Sequence, residues 1–123
     1  MAFNLKTFII TAIILSILDY IYISTFSKHF KNQIYKVQKE PLEMKMNTTI
    51  MCYILLVSGL YYFIISKNKS VKDAFLLGLL VYGVYELTTI SLLKNWEYKT
   101  VIIDTIWGGI LFATTTHIVY KLI

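Results

Sequence analysis

At 123 residues the chain is one domain long, and with 57 % apolar and 15 % charged residues it has too little polar cover for a small soluble domain. Its net charge of +5 rests on twelve Lys and no Arg, which argues against a nucleic-acid reader, because guanine and phosphate recognition favour the bidentate guanidinium. Cys52 is the one cysteine, which excludes an intrachain disulfide and a cysteine metal site.

The first apolar run extends from about Thr7 to Phe26, enough for the ~20 residues that cross ~30 Å of hydrocarbon. Lys6 ahead of an apolar stretch is also how a secretory signal starts. Here Asp19 interrupts the stretch and no small-x-small cleavage pattern follows, so the run reads as a retained span. The connector Ser27 to Met46 contains the only proline, Pro41. Before it, "KHFKNQIYKVQK" sets Phe30, Ile34 and Val37 on one helical face and Lys28, Lys31, Lys36 and Lys39 on the other. This spacing predicts an amphipathic helix in the membrane interface, its lysines near lipid headgroups. A solvated basic connector is the alternative.

Three further runs follow, at about Asn47 to Ile65, Ala74 to Leu93 and Thr100 to Leu122. The whole pattern predicts an all-α polytopic membrane protein. One integral membrane domain covers residues 1–123, its four transmembrane helices forming a bundle with both termini on one side. Seven lysines lie on the side of the first and third loops against five on the other, a small bias toward placing those loops in the cytoplasm. Asn47-Thr48-Thr49 and Asn68-Lys69-Ser70 match the glycosylation pattern, but both hug span ends and read as chance matches.

Three of the seven acids lie inside spans: Asp19, Glu86 and Asp104. Asp19 and Glu86 each precede the end of their span by seven residues, and Asp104 follows the start of the fourth by four. Their depths therefore agree to within about 5 Å at the helical rise. Intramembrane ionisable groups normally face protein or water, so three at one depth predict a single polar cluster. Tyr22, Thr89 and Trp107 each follow an acid by three residues, which puts a polar or aromatic neighbour on its face. Gly83 and Gly108 lie on the same faces and are expected to let helices approach closely.

No Lys lies in the hydrophobic core, and His117 falls near the far interface. Lys28, Lys94 and Lys99 lie on the correct side to reach inward. Otherwise the acids share protons, since adjacent carboxylates at low dielectric do not all ionise, or they meet a cationic ligand or a metal. Three carboxylates suit a hard cation such as Mg²⁺ or Ca²⁺ better than zinc. Structural glue between helices is the competing use of the same residues.

The stretches "ILDYIY", "YGVYELTTISLLKNW" and "VIIDTIWGG" resemble the family catalogued as domain of unknown function 2177, small membrane proteins of four helices. That family's pattern is Leu-Asp-x-x-Trp in the first helix, Tyr-Asp-x-Thr-Asn with a following Leu-x-x-Trp in the third, and Asp-x-x-Trp-Gly in the fourth. The last is matched in full by Asp104, Trp107 and Gly108. Tyr22 replaces Trp, Glu86 replaces Asp and Thr89 replaces Asn, while Tyr85, Thr88 and Trp96 are kept. The likeness covers essentially the whole chain and implies four membrane helices, without implying an activity.

The expected function is a small multi-pass membrane protein with a buried acidic site for a cation, a proton or a lipid headgroup. Its binding residues would be Asp19, Tyr22, Tyr85, Glu86, Thr89, Asp104 and Trp107. The alternatives are a proton-coupled small exporter, a structural or assembly protein of a membrane (a viral one included), and a lipid-modifying enzyme. The enzyme ranks last, because no nucleophile or His pair supports it. The expected partners are the lipid bilayer and further copies of the chain, with no nucleic acid.

Overall fold

A computed structural model describes residues 3–41 and 44–123 of the protein. Helix α1 (Leu5–Thr25) begins where the Asn4 side chain accepts a bond from the Thr7 amide at 3.1 Å. After the single residue Phe26 the chain enters α2 (Ser27–Gln38), the helix expected from the alternation of apolar and lysine positions. Lys39 ends α2 in the left-handed conformation, with φ of 63°. Residues 42–43 of the connector lie outside the described residues.

Helix α3 (Met46–Leu60) runs on into a wide turn, Tyr61–Ile65, in which the Ser66 amide reaches back to the Tyr61 carbonyl at 2.8 Å. Helix α4 (Val71–Leu92) is capped by Ser70, whose hydroxyl accepts from the Asp73 amide, and Asp73 complements the helix dipole there. Helix α5 (Tyr98–Leu122) completes the chain. No strand occurs among the described residues. Four segments, Leu5–Thr25, Met46–Ile65, Val71–Leu92 and Tyr98–Leu122, are long and apolar enough to cross a membrane. All four start ahead of the expected runs, α4 and α5 because the polar turns at Val71–Asp73 and at Tyr98–Lys99 are helical yet add nothing to an apolar run.

The tightest contact is between α4 and α5. A Cβ on Gly78 would strike the backbone carbonyl of Gly108, and one on Gly109 would come to 2.8 Å from the Phe75 ring. Backbone therefore lies on backbone, the packing that small residues allow in membranes. Gly108 lies in this close contact, where a Cβ would strike the Tyr82 side chain, whereas Gly83 has more room. It is buried, but a methyl there would meet only a Thr105 methyl at the ordinary distance of 3.4 Å.

Helix α1 packs on α5, and α3 packs on α1. The apolar core gathers Leu15, Leu60, Ile64, Ala74, Phe112 and Val119. These come from the middle of α1, the end of α3, the start of α4 and the end of α5. The core therefore fills the half of the bundle nearest the termini. The other half holds the acids.

Candidate acidic site

Helices α1 and α5 run antiparallel, so two residues three apart on one meet two residues three apart on the other in reverse order. Asp19 and Tyr22 on α1 face Asp104 and Trp107 on α5. The Trp107 indole donates to Asp19 Oδ1 at 3.0 Å, and the Tyr22 hydroxyl donates to Asp104 Oδ1 at 3.2 Å. The bonds cross between helices, and the two rings stack in parallel with centroids 4.5 Å apart. Tyr22 and Trp107 thus each serve the acid of the opposite helix, where the spacing had placed each beside the acid of its own.

The second Asp19 oxygen accepts from the Tyr53 hydroxyl on α3. Glu86 on α4 is 1 % exposed, and its Oε1 accepts from the Trp96 indole at 3.0 Å. The Asp104 carboxyl neighbours that of Glu86 across the α4–α5 contact. One continuous network therefore runs from Tyr53 through Asp19, Trp107, Tyr22, Asp104 and Glu86 to Trp96. It draws on all four spans and the loop after α4. Asp19 joins the other two acids through the stacked rings.

A family model described as a predicted membrane protein, domain of unknown function 2177, matches residues 4–121. The chain belongs to that family. It is accordingly a multi-pass membrane protein with acids buried among its helices. No curated protein and no solved structure matches it.

In this member of the family two expected site residues stand apart from the network. Tyr85 is 62 % exposed, because one residue along a helix turns the side chain by about 100° from Glu86. Thr89 spends its hydroxyl on the Tyr85 carbonyl of its own helix at 2.8 Å. The inward-reaching lysine is also absent: Lys28, Lys94 and Lys99 are exposed, and the one ion pair among the described residues is Lys36–Glu97 at 3.6 Å. Indole N–H and phenol O–H donors take its place, since long ammonium side chains reach water more readily than hydrocarbon. No group of three or more His, Cys, Asp or Glu among the described residues is arranged to hold a metal ion. His117 is exposed, away from the network.

Phe30, Ile34 and Val37 are half-buried on α2, but the residue at the centre of their face is Gln33, which is 1 % exposed. Phe30 lies edge-on to Tyr22 at 5.8 Å, so this part of the face meets the bundle's own end. Among the donors, Tyr53 escaped the sequence reading although it lies at the depth of the acids. Trp96 carried a signal only in the family pattern, because it sits outside every span.

Proposed function

We propose that Glu86 and Asp104 form a proton-holding pair that exchanges its proton, released to water, for a lipophilic cation arriving from the bilayer. The observation that carries this reading is that two carboxyls inside the bundle, Glu86 on α4 and Asp104 on α5, neighbour each other and are met by neutral donors, Trp96 and Tyr22, with no ion pair to either among the described residues. A hydrogen bond between two carboxyls needs a proton on one of them, because ionised carboxylates only accept. At low dielectric, two adjacent negative charges are costly and a shared proton relieves them. Glu86 is sealed and held by Trp96, whereas Asp104 is half-buried and is the member that a ligand can approach.

An approach exists. A groove of about 460 Å³ between α1 and α5 is lined by Ile21, Phe26, Ile102, Ile106 and the Tyr22 and Trp107 rings. It suits an apolar or aromatic body, with the cationic charge drawn to the aromatic faces. Asp19 has a different part. Both of its oxygens take donors from other helices, α3 and α5, which supports a fastening role beside the pair.

Infrared spectroscopy of the reconstituted protein tests the reading. The carbonyl band of a protonated carboxylic acid is expected, and tetraphenylphosphonium should remove it while releasing a proton. Asp104→Asn should abolish that release. No protonated band in the unmodified protein, or a release that survives both Asp104→Asn and Glu86→Gln, would reject the pair. Displacement by Mg²⁺ or Ca²⁺ in place of the organic cation would assign the site to a hard cation.

A further inference from the structure

The buried glutamine of α2 is the strongest feature that the acidic network leaves unused. The Gln33 amide makes three hydrogen bonds within the protein. Its Nε2 donates to the Asn95 carbonyl at 2.6 Å. Its Oε1 accepts from the Glu97 amide at 3.0 Å and from the Thr100 hydroxyl at 2.8 Å. Asn95 and Glu97 are the two neighbours of Trp96. One side chain of α2 therefore grips the backbone on both sides of the residue whose indole bonds to Glu86.

Three further contacts fix the grip. Asn95 takes the left-handed conformation, φ of 66°, and its amide donates to the Lys36 carbonyl at 3.2 Å. Lys36 pairs with Glu97. His29 Nε2 lies 2.8 Å from Thr100 Oγ1. The single hydroxyl hydrogen of Thr100 is committed to Gln33, so His29 must be the donor, with its proton on Nε2.

We infer that α2 is a surface arm controlling the acidic site, with Gln33 as the positioning residue that holds Trp96 on Glu86; this rests on the proton-holding reading above. Helix α2 carries Lys28, Lys31 and Lys39 exposed on its outer side, where lipid headgroups would meet them. It joins α1 through one residue, Phe26. Lifting or tilting α2 loosens the Asn95–Glu97 backbone, withdraws the indole from Glu86 and leaves that carboxyl with one fewer donor. Movement of the arm therefore changes the hydrogen bonding of the carboxyl that neighbours Asp104.

Trp96 reports on this directly, because the chain has two tryptophans and Trp107→Phe leaves it alone. In that background Gln33→Ala should shift Trp96 emission to the red and raise its quenching by acrylamide. The infrared carboxyl band should move in the same direction as in Trp96→Phe, a variant that leaves α2 untouched. Gln33→Glu, which keeps the acceptor for Glu97 and Thr100, should give a smaller shift and guards against a result caused by unfolding. Unchanged emission and an unchanged carboxyl band in Gln33→Ala would overturn the inference. An emission shift in a protein that has no protonated carboxyl band upholds the grip on Trp96 and rejects the proton-holding reading instead.

Discussion

Each oxygen of the Asp19 carboxylate accepts its bond from a different helix, Tyr53 on α3 and Trp107 on α5. A group 5 % exposed in hydrocarbon keeps an anionic or strongly polar state only with such donors. Tyr53 is also what holds α3 to α1 in the acidic half, since the apolar core lies in the other half. Tyr53→Phe is therefore expected to cost about 1 kcal/mol, the scale of hydrogen bonds between membrane helices, in reversible unfolding from mixed micelles. A double-mutant cycle with Asp19→Asn should show coupling, and strictly additive losses would disprove the tie. The three acids were legible in the sequence because depth can be counted along a helix. Their donors were not. Tyr53 is one of ten tyrosines, and nothing local tells which of them turns inward.

At the scale of the helices, the contact between α4 and α5 depends on Gly78 more than on any glycine singled out by its distance from an acid. Gly78→Ala pushes a methyl into the Gly108 carbonyl, where backbone has no rotamer to yield. The expected loss is roughly 1–3 kcal/mol, typical of overpacking, measured in the same micelle unfolding. Gly83→Ala meets a methyl at 3.4 Å and should be close to neutral. Equal effects of the two would contradict the close approach. The four spans and α2 could be read from apolar length and from the 3.6-residue period. The wide turn at Tyr61–Ile65 could not, because "YYFII" continues the apolar pattern on either side without a break. Gln33 was not legible in the same way: a polar residue interrupts the apolar face of Phe30, Ile34 and Val37, and only the fold shows it buried.

The molecule as a whole divides into an apolar half near its termini and a polar half beneath α2 and the α4–α5 connector. Four spans put these two ends on opposite sides of the bilayer. In a Cys52→Ser background, Lys31→Cys on α2 and Lys69→Cys before α4 should react with an impermeant thiol reagent from opposite sides of sealed vesicles. Labelling of both from one side would refute four crossings. The count of spans was legible because it follows from the solvent, whereas the order in which helices touch depends on side-chain shape. That order has a bearing on biogenesis through the backbone contact at Gly78. The α4–α5 hairpin has its fit built into adjacent chain and can close on itself as it leaves the ribosome. Helix α1 emerges before α5 and must wait for it before Asp19 meets the Trp107 indole and Tyr22 meets Asp104. Until α5 is made, the Asp19 carboxyl stands in the membrane with at most the Tyr53 hydroxyl of α3 as a partner. The newborn chain is therefore most exposed to quality control in the interval between the insertion of α1 and the arrival of α5.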